Sequence, residues 1–502
     1  MIISITRILS LIKLKKFLFS LVLILLISSF WRFVNFPNRW VLSQDQARDV
    51  IISLYSIENR ILPPIGPPSS AGPFSFGPAY YLFTIFFTLF SPITPLFPWI
   101  GFALISVLSV ILLFLAGKKL YGLEFAVIVG LVASFSFREV INATNVLNPI
   151  LITFAVSLVF FSLTYLIKTK KLIFALLLGI SVGLAINFHF QSLGLIVIPF
   201  LLLIFSQEVV KRKILVGATI LFGTFLVFLQ LLLFELVNDW VWSKSIINYL
   251  LYGQNKFYIP VRWLTDIFNF WPTMWGEVIT GNPLSGYFLG PLFLIAVVVS
   301  IWRKKKLINK TVLTIGITFI IEVILIRYYK GPRLPVYLIV THAFFIFFTA
   351  WTIYCLGKIN KILSFGILAI ILIMSSLSNV SVINAADTAV EIKKLKEKVD
   401  SKIINKTTFY QDSESGFFSL LLFYLLYSER KISEDGYKIG FCDLSSNSNR
   451  IDCPNNEFIL SEGSFLIYDL NQQSEELRPN FENFTAKDVY NSLFLNLPHL
   501  VQ

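Results

Sequence analysis

Apolar residues along this chain come in blocks of near-uniform length, separated by short polar and basic stretches. A helix that crosses a bilayer needs about 20 mostly apolar residues. Blocks of that kind lie at 17–34, 97–117, 121–137, 149–167, 172–188, 192–207, 214–235, 285–302, 311–327, 335–356 and 362–381, and they predict eleven transmembrane helices. The run Tyr80–Phe90 is too short to span. Gly77-Pro78 precede it, Pro92 and Pro95 follow it, and it predicts a helix lying at the membrane interface. Ser28-Ser29-Phe30-Trp31-Arg32 is too bulky for a signal-peptide cleavage site, so the first block is read as a span. Beyond Asn384 the pattern changes. Thr388–Lys398 reads as a charged helix, and Lys438–Cys442 and Glu457–Tyr468 read as strands. The expected fold is therefore a membrane all-α domain at 1–384 with an interfacial helix, followed by a small soluble α/β domain at 385–502. No internal repeat is visible.

Composition agrees with that division. Hydrophobic residues make up 56% of the 502 positions and charged residues 14%, against about 45–50% and about 25% in soluble domains. The net charge of +13 is unevenly placed. Residues 1–384 hold 30 Lys+Arg and 11 Asp+Glu, and residues 385–502 hold 12 and 18. The basic excess sits in clusters at every second connection: Lys13/Lys15/Lys16, Lys118/Lys119, Lys168/Lys170/Lys171, Lys211/Arg212/Lys213, Arg303 to Lys306, and Lys358/Lys361. It orients helices and does not call for nucleic acid. By the positive-inside tendency these clusters are cytoplasmic, which places the N-terminus inside and the tail outside. Cys355 lies in an apolar block. Cys442 and Cys453 are close enough in the tail to pair if the compartment is oxidising.

Two of the expected outside connections are long. The first opens Ser43-Gln44-Asp45-Gln46-Ala47-Arg48-Asp49. Asp45 and Asp49 are one helical turn apart and share a face. A carboxylate there suits a general base, or simply a solvated helix capped by Ser43. The Pro/Gly-rich stretch from Leu62 to Pro78 reads as an ordered binding loop. The second long connection carries Trp240, Trp242, Trp263, Trp271 and Trp275, which suit either the membrane interface or a platform for a sugar or lipid. Between them, Asn145-Val146-Leu147-Asn148-Pro149 places Asn148 as the cap of a helix. His189 and Gln191 stand at the outer end of the fifth block and suit hydrogen bonding to a polar substrate. They do not complete a metal ligand set. Glu322 lies inside the ninth block, where an ionisable group marks function, with Arg327 as its candidate partner. Arg327, Lys330 and Arg333 put three cations in seven residues on the outer side. They suit a lipid-linked phosphate or ordinary anionic headgroups.

Together these pieces resemble the GT-C glycosyltransferases, in particular the family 39-like group of protein O-mannosyltransferases and bacterial transferases that put aminoarabinose on lipid A. Asp45 matches the group's acidic position after the first span. Gly77-Pro78-Ala79-Tyr80-Tyr81 resembles the start of its interfacial helix, and Asn145 to Pro149 resembles its second-loop motif. Arg333-Leu334-Pro335-Val336-Tyr337 resembles its late segment near the lipid phosphate. Relatives carry Asp where this chain has Asn148, and Gln46 here follows Asp45. The resemblance covers about residues 15–380. It implies an inverting hexosyl- or pentosyltransferase that takes a sugar from a polyprenyl-phosphate donor to a lipid, glycan or protein acceptor on the extracytoplasmic face. Asp45 would be the base, and Asp49, Asn148, His189, Gln191, Glu322, Arg327, Lys330 and Arg333 would bind substrate. The resemblance names no certain cofactor, a divalent metal is left open, and no Walker or Rossmann glycine motif occurs. The rival reading is a transporter or flippase of a lipid-linked or polar substrate, which predicts polar groups at mid-membrane in several spans.

Overall fold

The computed structural model describes residues 2–253, 263–302, 307–329, 335–384, 390–403, 406–412, 416–443, 458–471 and 481–494. The chain opens on the long helix α1 (Ile2–Phe33) and turns through the single turn α2 (Phe36–Arg39). The first connection holds α3 (Gln44–Asn59) and α4 (Ala79–Thr88). The bundle continues with α5 (Phe97–Tyr121), α6 (Leu123–Phe135), the short α7 (Phe137–Asn142), α8 (Leu151–Thr169), α9 (Leu172–Phe188), α10 (Val197–Phe205) and α11 (Val210–Val237). The second connection holds α12 (Val241–Leu251), α13 (Trp263–Thr265) and α14 (Trp271–Thr280). Four more apolar helices follow: α15 (Gly286–Trp302), α16 (Lys310–Tyr328), α17 (Val340–Gly357) and α18 (Lys361–Ile383).

Each of the eleven apolar blocks forms a helix. Among the described residues, eight helices are long and apolar enough to cross a membrane, and the chain is a multi-pass membrane protein. The blocks at 121–137, 172–188 and 192–207 give shorter helices. In the last of these, Pro199 has no N–H to give and clashes with a preceding turn. The α-helix therefore starts only at Val197, and Phe190–Ile196 winds as 3-10. All of α17 is buried, so it forms the centre of the bundle. The outer helices present bare apolar faces, for example Phe19, Leu221 and Phe365, each more than 70% exposed. Such surface on a well-packed molecule belongs against lipid.

The tail begins with α19 (Val390–Lys402) and continues as β1 (Thr407–Asp412), α20 (Gly416–Ser428), β2 (Tyr437–Asp443), β3 (Leu460–Glu462), β4 (Phe465–Asp469), β5 (Phe481–Asn483) and α21 (Ala486–Phe494). The sheet order is β3-β4-β2-β1-β5. β1 and β2 run parallel, with Phe409 opposite Ile439, and the other pairings are antiparallel. A parallel pair needs a crossover, and α20 supplies it. Its apolar residues are buried on both sides because they also meet the first connection. Tyr424 Oη donates to the Pro95 carbonyl at 2.6 Å and Tyr427 Oη bonds to Glu58. Lys393 Nζ stands 4.1 Å above the Trp40 ring. Cys442 is buried and disulfide-bonded, Cys355 is free, and Cys453 lies outside the described residues.

Candidate functional site

Helix α3 carries the first group of candidate residues, and its start is fixed locally. Ser43 is the N-cap, and it forms a capping box with Gln46. Gln46 Nε2 also donates to Asn145 Oδ1 at 2.6 Å, tying the helix to the second loop. Asp45 sits in the first turn, where the helix dipole favours an anion, and its side chain is 58% exposed. Arg48 joins the two carboxylates: Nη1 lies 2.7 Å from Asp45 Oδ1 and Nε 2.8 Å from Asp49 Oδ1. Asp49 is buried. Tyr81 of α4 donates to its Oδ1 at 3.1 Å, while its Oδ2 has no hydrogen-bond partner. Burial pushes the Asp49 carboxyl up, and Arg48 opposes that shift. One turn of helix therefore presents an exposed carboxylate and hides a second one.

The rest of the first connection is ordered, as its sequence leads one to expect. Gly66 N–H donates to the Phe76 carbonyl and Phe76 N–H to the Pro67 carbonyl, both at 2.9 Å. A Cβ on Gly66 would come within 2.2 Å of the Gly77 carbonyl oxygen, so the two strands of this loop can close only on glycine. The loop docks on the end of α9. Gly77 N–H donates to the Asn187 carbonyl and Ala79 N–H to Asn187 Oδ1, each at 2.8 Å. Phe76 stacks on His189 with ring centroids 4.2 Å apart. Trp242 Nε1 donates to the Ser75 carbonyl from α12, whose own start is held by Glu235 accepting from the Trp242 and Ser243 N–H groups.

These elements enclose a cavity of about 640 Å³. Its wall is mainly aromatic and aliphatic, with Phe74, Phe76, Phe190, Trp242, Tyr249 and Tyr329 among its members. Polar atoms are few. Tyr249 and Tyr329 hydroxyls bond to each other at 2.7 Å, and the Tyr337 hydroxyl bonds to Ser70 at 2.6 Å. His189 lines the cavity with Nε2 unpartnered, while its Nδ1 accepts from the Gln191 N–H. Burial lowers the His189 pKa to about 3, so it is a neutral imidazole at physiological pH.

The other expected residues fall as follows. Gln191 donates from Nε2 to the Val336 carbonyl and accepts the Val340 N–H on Oε1, both at 3.1 Å, so its amide is spent on the start of α17. Asn148 is not a helix cap. It lies within a 3-10 turn and donates from Nδ2 to the Phe188 carbonyl at 2.7 Å, which joins the second loop to α9. Glu322 is fully buried against Gly194. Its expected partner Arg327 lies elsewhere, with Nε 2.9 Å from Asp266 Oδ2. Five positions turn a helix by about 140° beyond a full circle, so the two side chains leave α16 on different sides. Lys330 and Arg333 lie outside the described residues.

Among the described residues, no group of three His, Cys, Asp or Glu side chains could hold a metal ion. The Asp45/Asp49 pair already has its cation in Arg48, and a metal would have to displace it. Arg48 and Tyr81 join the site without having been expected there, although they lie in the segments that carry Asp45 and the start of α4. A buried pair was likewise not expected: His342 Nδ1 lies 2.7 Å from Glu139 Oε1, with Thr153 donating to the same oxygen.

No protein-family model matches the sequence, and no curated protein matches it. Solved structures do. ArnT from Cupriavidus metallidurans, in the apo state and bound to undecaprenyl phosphate, superposes with a TM-score of 0.58 at 12% identity, over 89% of this chain and 97% of ArnT. The Archaeoglobus fulgidus oligosaccharyltransferase in complex with Zn and sulfate superposes with a TM-score of 0.51 at 12% identity, over 85% of this chain and 68% of that one. The chain has the ArnT fold. The multi-pass helical fold expected from the sequence is thus present.

Proposed function

We propose that the chain is an integral membrane glycosyltransferase that moves a sugar from a polyprenyl-phosphate donor to an acceptor hydroxyl. The observation that carries this reading is the first connection. It places an exposed carboxylate, Asp45, at one end and builds the wall of a large apolar cavity at the other. An apolar slot with few polar atoms suits a polyprenyl chain. The likeness of fold to ArnT, solved with undecaprenyl phosphate, supports the same donor class.

The chemistry follows from the residues. Asp45 takes the proton of the acceptor hydroxyl, and the hydroxyl oxygen attacks the anomeric carbon. The bond from that carbon to the phosphate oxygen breaks, the electron pair leaves on the lipid phosphate, and configuration inverts. Arg48 holds Asp45 through Oδ1 only, at 2.7 Å. Lys330 and Arg333 follow α16 directly in sequence, where Tyr328 and Tyr329 line the cavity, and they supply the cations that meet the leaving phosphate. The α3 end of the bundle is the extracytoplasmic one and the N-terminus is cytoplasmic. The basic clusters at the opposite helix ends support this, as does a disulfide at Cys442.

A photoreactive polyprenyl phosphate tests the donor site in the full chain. Expected is labelling of the cavity wall at 186–193 or 241–250, and its loss with excess unlabelled polyprenyl phosphate. Labelling confined to other helices would overturn the reading. Screening lipid-linked pentoses and hexoses for release of polyprenyl phosphate then identifies the sugar.

A further inference from the structure

A second cavity of about 170 Å³ lies at the other end of the bundle. Helix α16 runs between the two. Lys310 and Thr314 line the small cavity, and Leu325 and Ile326 line the large one. At 1.5 Å per residue they are about 22 Å apart. The small cavity opens where the ends of α8 and α10 meet the starts of α11 and α16. Its floor is apolar, from Leu166, Leu202, Leu203 and Val216. Its rim carries four cations, Lys170, Arg212, Lys213 and Lys310, against one carboxylate, Glu208.

The rim is electrostatically incomplete. Lys170 Nζ pairs with Glu208 at 2.6 Å and so uses the one anion present. Lys310 donates to the Phe205 carbonyl at 2.7 Å, and Arg212 donates to the Lys170 carbonyl. Neither contact neutralises a charge. Among the described residues, Lys213 has no ion pair or side-chain hydrogen bond. Arg212, Lys213 and Lys310 also occupy first turns of their helices, where the dipole opposes cations. Four positive charges around one opening face a single carboxylate, Glu208, and together they favour an anion there.

We infer that this cavity binds the phosphate of an anionic membrane lipid, with the phosphate on the rim cations and the lipid's apolar part over the floor. Basic pockets between transmembrane helices take such headgroups. Free phosphate would satisfy the rim but leave the apolar floor bare, so the lipid is the better match. The site stands apart from the donor cavity and is independent of the proposed transfer reaction.

Native mass spectrometry of the full-length protein, titrated with phosphatidylglycerol, phosphatidylcholine or inorganic phosphate, tests this. Each cation that lies against the headgroup contributes about fivefold to anionic-lipid affinity. The double variant Arg212→Gln/Lys213→Gln should therefore hold phosphatidylglycerol about thirtyfold more weakly. The control Lys171→Gln/Lys361→Gln removes two cations from the same end outside the cavity, and it should leave the affinity within about threefold. Val216→Trp fills the floor and keeps every charge, and it should also weaken phosphatidylglycerol binding, by at least about tenfold. Equal losses in the double variant and the control would mean diffuse surface charge and overturn the site. So would phosphatidylcholine binding as tightly as phosphatidylglycerol, or unchanged binding in Val216→Trp. Displacement of the lipid by inorganic phosphate alone would make it a free-anion site and overturn the lipid assignment.

Discussion

The first connection and the C-terminal tail both hold charged networks, and they hold them in opposite surroundings. In the first connection, Arg48 sits between Asp45 and a fully buried Asp49, which Tyr81 closes off from below. In the tail, Lys396 and Lys431 sit between Asp400 and Glu429, at 2.5 to 3.0 Å. The distances are alike. The exposure is not: Asp49 is 1% exposed, whereas the four tail side chains range from 16% to 38%. Water screens the tail network, so each of its pairs contributes little. Asp49 cannot relax into water, so removing Arg48 leaves its buried charge uncompensated. Short distances therefore do not distinguish the two networks, whereas burial does.

The largest effect is expected at the exposed member of the α3 network. Asp45→Asn keeps size and hydrogen bonding but removes basicity, which costs about 10²–10⁴ in rate. Donor binding should persist, because the carboxylate does not hold the phosphate. Asp49→Asn keeps its contact with Tyr81 and should reduce turnover less than tenfold. With a working donor and acceptor, normal turnover in Asp45→Asn would end the catalytic assignment. An equally inactive Asp49→Asn would show that the two acids act as a unit.

Next comes Arg48→Gln. It strands Asp49 without a counter-charge, and breaking a buried pair costs about 3–5 kcal/mol. Thermal unfolding in detergent should drop accordingly, and Asp49→Asn in the same background should restore part of the loss. A midpoint unchanged in Arg48→Gln would mean that Asp49 simply takes a proton.

His189 gives a pH-dependent effect of intermediate size. Its folded pKa, about 3, lies below its ordinary 6.5, so the folded state resists protonation. The stability it contributes is complete above about pH 6.5 and falls as pH drops from 6.5 towards 3. By pH 5 the loss is about 2 kcal/mol. His189→Gln should flatten the fall of the unfolding midpoint between pH 6.5 and 5. An unaltered slope would show that the ring reaches solvent.

The same contrast explains what could be read in advance. The helices were legible because a run of about 20 apolar residues has one physical use. The start of α3, which carries Asp45, was legible because Ser43 offers its N-cap. In the tail, α19, β2 and the run that splits into β3 and β4 followed from local pattern, whereas β1, α20, β5 and α21 did not. What stayed hidden was contact between distant residues. Asp49 with Tyr81, Arg327 with Asp266, and Glu139 with His342 lie 32, 61 and 203 positions apart. Sequence spacing instead proposed the near neighbour Glu322 for Arg327, and helix geometry forbids it. Asn148 resembled a cap because Pro149 follows it, but its amide reaches across to Phe188.

The smallest expected effect tests the comparison directly. Lys431 Nζ contacts both Asp400 and Glu429, at 2.5 and 3.0 Å, yet the side chain is 38% exposed. Lys431→Ala should lower stability by less than about 1 kcal/mol, because water and counter-ions already stabilise the separated charges. Salt sharpens the test. In 1 M salt the screening length is about 3 Å, so the difference between Lys431→Ala and the parent should vanish. The deficit of Arg48→Gln should survive the same salt, because ions cannot enter around a side chain as buried as Asp49. If salt erased both deficits, the α3 network would be as open as the tail, and Asp49 would lose its claim to a buried, positioning role. If salt erased neither, the tail network would be buried on the membrane-bound protein, with lipid or a partner covering the face that carries Lys431.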